Sequence, residues 1–203
     1  MNTGDKLRFR NIDKWKPSNG NNCVLNISKS AKIYGKLAES LTSEFKLSRQ
    51  YNFNCMFGGS TGLIDASEFD LYDGIVLTNS CYYSMFLNCT SLSSAPKLPA
   101  TTLAEQCYAN MFEGCTSLVN APKLPATMLA YMCYSNMFEG CTSLTTQDIN
   151  LPATTLKSYC YDDMFINCGI TNTKTIHVPA SLASTVTASM FGDNSGVTVA
   201  YSL

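Results

Sequence analysis

Cys107-Tyr108-Ala109-Asn110-Met111-Phe112-Glu113-Gly114-Cys115-Thr116-Ser117-Leu118 is followed by Ala121-Pro122-Lys123-Leu124-Pro125-Ala126-Thr127, and the pattern begins again at Cys133. Met-Phe marks the period. It starts at Met56, Met85, Met111, Met137, Met164 and Met190, at intervals of 29, 26, 26, 27 and 26 residues. A self-similar period of about 20 to 50 residues denotes a stacked array, in which each unit buries its apolar face only against its neighbours.

Inside one unit, Leu103, Cys107, Met111 and Cys115 fall at i, i+4, i+8 and i+12, with Ala104, Tyr108 and Phe112 beside them. This predicts a helix with one wide apolar face, capped by Thr101 or Thr102 after Pro99 and ended at Gly114. Residues 118–124, too short for a second helix and bracketed by prolines, read as a strand. One strand and one helix per unit, repeated in the same sense, give parallel strands on one side and helices on the other. Strands lie about 4.8 Å apart and helices about 8–10 Å apart. The expected α/β fold is therefore a short curved parallel β-sheet on the concave side with helices on the convex side.

The run Leu-Pro-Ala-Thr-x-Leu, then Cys-Tyr, Met-Phe and Cys-Thr-Ser-Leu, resembles the BspA-like leucine-rich-repeat family of bacterial surface and secreted proteins and some phage proteins. It matches at 98–118 and 124–144, more loosely at 151–170 and 178–191, and the resemblance spans 51–203. It implies a leucine-rich-repeat solenoid used for adhesion or protein binding. Two departures stand out: the units are longer than the family's, and Pro96 and Pro122 stand where later copies have Ile149 and Ile176. Proline removes a ladder donor.

Residues 1–50 lack the repeat and read as a β-rich N-terminal cap, while 51–203 form the solenoid of about six repeats including a degenerate C-terminal cap. In the cap, Leu7 and Phe9 alternate with charged residues, 24–27 and 32–37 read as strands, and 18–22 as a turn. In the last copy Val186 and Asn194 replace the repeat cysteines, and 196–201 is the expected final strand.

No apolar run approaches the roughly 18 residues of a membrane span, and residues 1–21 show no signal-peptide core. Either an export signal has been removed from this chain or the protein reaches its site without one. Residues 1–50 carry a net charge of +6 and residues 51–203 a net charge of −7. A basic stripe on the repeats is missing, which argues against nucleic acid as a partner. The basic cap is either simply solvated or a docking surface for an acidic partner, through which an oligomer would form.

Of ten cysteines, eight form four pairs at one spacing: Cys81 and Cys89, Cys107 and Cys115, Cys133 and Cys141, Cys160 and Cys168. Eight helical residues rise about 12 Å, beyond the roughly 7 Å reach of a disulfide, so no pair bridges within its repeat. Bridges between neighbouring repeats remain sterically open. The reading adopted is a set of structural buried thiols, with Asn52 and Ser60 in the equivalent places of the first copy. Metal-type Cys-x-x-Cys spacing is absent, so no metal is expected.

Catalytic signals are weak: His177 is the only histidine, no nucleophile motif occurs, and Gly58-Gly59-Ser60-Thr61-Gly62 lacks the Gly-Lys-Ser/Thr ending of a phosphate loop. No enzyme activity and no cofactor are expected. What remains is surface. Lys97, Lys123, Asn150 and His177 align as a candidate ligand-binding column on the concave face, where a carboxylate or phosphate would relieve lysine repulsion. A solvated column inherited by duplication is the alternative. Tyr82, Tyr108, Tyr134 and Tyr161 read as wedges between helices. The expected function is a non-enzymatic adhesion module, at the cell surface or secreted, binding protein or glycan. The alternative is a phage virion protein, a head fibre, decoration or tail-associated component, whose partners are neighbouring subunits.

Overall fold

A computed structural model describes residues 5–8, 25–37, 53–71, 77–146, 148–168, 174–192 and 196–202. Its strands are β1 (Asp5–Arg8), β2 (Ala31–Lys36), β3 (Leu63–Asp70), β4 (Asp148–Asn150), β5 (Lys174–Val178) and β6 (Val197–Tyr201), with short 3-10 turns at Ala180–Leu182 and Ala188–Phe191. Two parallel sheets result, ordered β1-β2-β3 and β4-β5-β6. The turn expected at 18–22, Phe9, Cys23 and Asn52 lie outside the described residues.

The expected helices are not formed, and this overturns the fold of a leucine-rich-repeat solenoid with helices on its convex side. Among the described residues there is no α-helix. In the run 103–115, Gln106, Asn110 and Gly114 sit at φ 54°, 56° and 69°, whereas an α-helix needs negative φ throughout. The same left-handed step recurs every fourth residue at Ser80, Ser84 and Asn88, at Met132, Asn136 and Gly140, and at Tyr159, Asp163 and Asn167. Each unit is thus a ribbon of consecutive turns.

Hydrogen bonding explains why this ribbon persists. Cys107, Ala109, Met111, Glu113 and Cys115 donate their N–H groups three residues back within the ribbon. The alternate residues donate across to the next copy: Gln106 to Tyr131 (2.9 Å), Tyr108 to Cys133 (3.1 Å), Asn110 to Ser135 (2.9 Å), Phe112 to Met137 (3.0 Å) and Gly114 to Glu139 (2.8 Å). Every backbone donor in the run 106–115 is therefore satisfied, half locally and half by the neighbour, as a buried backbone requires. A helix would have kept all of them inside one copy. Without helices, the difference between strand and helix spacing that would force the stack to curve is absent among the described residues.

The core is a set of ladders. Phe57, Phe86, Phe112, Phe138 and Phe165 stack at centroid distances of 5.3 to 5.7 Å with interplanar angles of 7° to 10°. Tyr82, Tyr108, Tyr134 and Tyr161 form a second ladder at 5.8 to 6.1 Å. These tyrosines lie one on another across the rungs and are not the expected wedges between helices. Both ladders end on the buried ring of Phe191. Aromatic pairs contribute about 0.5–1.5 kcal/mol each beyond area burial, so the repeated ring positions reinforce the stack at every step.

The opposite side is less regular. Residues 118–124 do not form the expected strand; Asn120 makes one isolated bridge to Ser94, and Lys97 one to Asp70. Regular strands β4 and β5 occur where Ile149 and Ile176 replace the prolines. The cause is the donor that Pro96 and Pro122 lack. At the N-terminal end, β2 pairs with β3 in parallel, so 25–37 joins the array as a further rung.

Candidate functional site

The break between proline rung and strand opens a notch of about 310 Å³, lined by Pro122, Lys123 and Pro125 on one side and Thr146, Asp148 and Asn150 on the other. Leu151 donates its N–H to the His177 carbonyl at 2.8 Å, and Asn150 pairs with His177 in register. Parallel pairing alternates the edge to which successive peptide groups point. The peptide groups of Ile149 and Leu151 face β5, leaving those of Asp148 and Asn150 directed at the notch. At the closed end, Thr146 Oγ1 accepts the Ala121 N–H at 2.9 Å.

The structure brings two of the four column residues into this notch. Lys123 and Asn150 line it; Lys97 is exposed on an earlier rung and does not. His177 sits one rung beyond Asn150, half-exposed, its Nε2 3.4 Å from Asp148 Oδ1 and its Nδ1 3.0 Å from Ser202 Oγ. Asp148 belongs to the site and was missed at the level of sequence. The signal was available: two residues before Asn150 on a strand, it shares that residue's face. Chemically the notch offers an ammonium, a carboxylate, an amide and free peptide groups. Such a set binds polar, hydrogen-bonding ligands.

The repeat thiols occupy a different place. Cys81, Cys89, Cys107, Cys115, Cys133, Cys141, Cys160 and Cys168 are all buried and free. Cys89, Cys115 and Cys141 donate their S–H to the carbonyls of Phe57, Phe86 and Phe112, each at 3.1 Å. In the first copy Ser60 takes this role, donating to the Leu25 carbonyl at 2.6 Å. Burial pushes the thiols of Cys81, Cys89 and Cys133 up to about 12. Cys168 rises to about 11 through burial, against the lowering effect of the buried Lys174 ammonium. Thiols so protonated are poor nucleophiles and poor metal ligands. Among the described residues no cluster suited to a metal occurs.

A second feature escaped the sequence reading. Tyr131 and Tyr159 are exposed on the ribbon side with centroids 6.0 Å apart, edge to face, and Met128 is exposed beside their rungs. Glu105 and Thr102 fill the places of Tyr131 and Met128 one copy earlier, and Gln106 that of Tyr159 two copies earlier, so these apolar residues are not demanded by the repeat. No helix among the described residues is long and apolar enough to cross a membrane. No protein-family model, no curated protein and no solved structure matches this chain.

Proposed function

We propose that this chain is a non-enzymatic binding module whose notch takes an extended polar ligand, a protein segment or a glycan displayed at a cell surface. One observation carries the reading: the hydrogen-bond ladder is interrupted between 121–125 and β4, and Lys123, Asp148 and Asn150 converge on the gap. On the ribbon side the array satisfies its own backbone; here, among the described residues, the peptide groups of Asp148 and Asn150 and the side chains of Lys123 and Asn150 face the gap, with Asp148 beside them paired to His177. The BspA-like resemblance agrees with such a role and rests on the quoted residues alone. The test is a screen of immobilised glycans and peptides with the wild-type chain and the Lys123→Ala, Asn150→Ala double variant. A ligand bound by the wild type and weakened at least tenfold, about 1.4 kcal/mol, by the double variant supports the proposal. Equal binding by both proteins would sink it.

The cysteines favour one alternative. All nine described cysteines are unbridged, as suits assembly in a reducing compartment, and so a virion component built in a host cytoplasm is the second reading. Mass spectrometry of purified virions, searching for this chain beside capsid or tail proteins, separates the two.

A further inference from the structure

We propose that copies of this chain associate head to tail, the free edge of β6 in one copy pairing in parallel with the free edge of β1 in the next. Among the described residues, β1 and β6 are each the outermost strand of their sheet. Lys174 donates to the Gly196 carbonyl at 3.0 Å and Ser202 to the Val178 carbonyl at 3.1 Å. Gly196, Thr198, Ala200 and Ser202 therefore turn their peptide groups to β5, and Val197, Val199 and Tyr201 turn theirs outward. This edge carries no charge, no proline and no bulge, the devices that usually blunt a free strand. Its sequence, Val-Thr-Val-Ala-Tyr, has high strand propensity.

The side chains show the same deficit. Ile176 and Val178 are fully buried, while their in-register partners Val199 and Tyr201 are half-buried and 40% exposed. At the other end, Ile33 is fully buried and its partner Leu7 is 42% exposed. Among the described residues, both ends thus present a core-face residue covered on one side only. Because every strand pair among the described residues is parallel, adding β1 of a second copy to β6 continues the stack without a change of sense. The ribbon side needs no partner there, since Phe191 closes both aromatic ladders and is itself buried.

Charge selects this arrangement over a twofold pairing of β6 with itself. The segment containing β1 has a net charge of +6 and the remainder −7; head to tail apposes opposite signs, and tail to tail apposes two acidic bodies. A head-to-tail contact is heterologous and, unless it closes into a ring, builds an open row.

Sedimentation velocity across a concentration series reaching about 100 µM, well above a micromolar Kd, provides the test. The wild type is expected to form a ladder of growing species. Val199→Pro deletes an outward N–H while sparing the bonds to β5, and Leu7→Lys charges the other contact; each alone should be monomeric with an unchanged melting curve. Should proline disturb β6, Val199→Lys replaces it. Mixed, the two variants should give a one-to-one dimer and nothing longer, because each retains one competent end. A wild type monomeric throughout overturns the proposal. So does dimerisation of Leu7→Lys alone, which would reveal β6 pairing with its own copy.

Discussion

The two long sides of this molecule solve the same problem differently. On the ribbon side, successive copies superimpose bond for bond: Ser80, Tyr82, Ser84, Phe86 and Asn88 donate to the next copy as Gln106, Tyr108, Asn110, Phe112 and Gly114 do to theirs. On the other side, copies differ. The two rungs that hold Pro96 and Pro122 make only isolated bridges, later ones with Ile149 and Ile176 in that place form β4 and β5 and pair on to β6, and among the described residues 122–126 and 148–153 share no ladder bond. The lesson is that a stack needs only one continuous side to hold its register. The other side is then free to vary, and the notch lies on it.

The largest expected effect tests that division. Phe112, fully buried between Phe86 and Phe138, should cost about 3–5 kcal/mol when replaced by Ala, since two stacked rings lose a neighbour. Leu124 is also buried but lines the notch, where solvent and collapse fill the space; Leu124→Ala should cost about 2 kcal/mol, the low end of the range for such changes. Urea unfolding at a common temperature measures both. Equal losses would mean that the proline rung is held as firmly as the ribbon.

Alkali attacks the ribbon side through its thiols. Folded-state values raised by burial to about 12 for Cys81, Cys89 and Cys133, and to about 11 for Cys168, compare with 9.0 for a free thiol. The native state holds these protons longer than the unfolded chain does. Their stabilising contribution is therefore complete below pH 9 and is lost as pH rises toward 11–12, by about 1.4 kcal/mol per thiol per pH unit. Four such groups remove on the order of 5 kcal/mol for each unit above pH 9, against a total of about 5–15 kcal/mol for a domain. Cooperative unfolding between about pH 10 and 12, followed by circular dichroism in the presence of reductant, is expected. A flat signal to pH 12 would show that the thiols are solvated.

The period, the identity of the buried columns and the alignment of Asn150 with His177 were all legible in the sequence, because they depend only on counting. The helix was misread for a physical reason. Leu103, Cys107, Met111 and Cys115 repeat at a strict four, which an α-helix of 3.6 residues per turn accommodates only with drift. Asn88, Asn110, Gly114, Asn136, Gly140, Asp163 and Asn167 repeat at the same interval, and Asn, Asp and Gly are the residues that enter the left-handed region most readily. Read together, those two periods describe a turn ribbon. The notch was less accessible, because it arises from the absence of a donor on one rung beside its presence on the next. Only Pro122 set against Ile149 hinted at it.

That pair supplies the last and smallest expected effect. One copy later, Ile149 occupies the place of Pro122, and its peptide group faces β5; by the same geometry the missing N–H of Pro122 is the one that would face β4. Pro122→Ile restores this donor together with a β-branched side chain suited to a pleated surface. One added backbone hydrogen bond contributes about 0.5–1.5 kcal/mol net, so the variant should be slightly more stable, and its residue 122 amide should exchange slowly with deuterium. The notch should close as the ladder extends, weakening any ligand whose binding depends on Lys123 and Asn150. Lys123→Ala is the matching control: its side chain is exposed, and removal should change stability by less than about 0.5 kcal/mol while weakening the same ligand. If Pro122→Ile instead destabilises the chain, the gap is enforced by packing around the prolines, and the missing donor is not what interrupts the ladder.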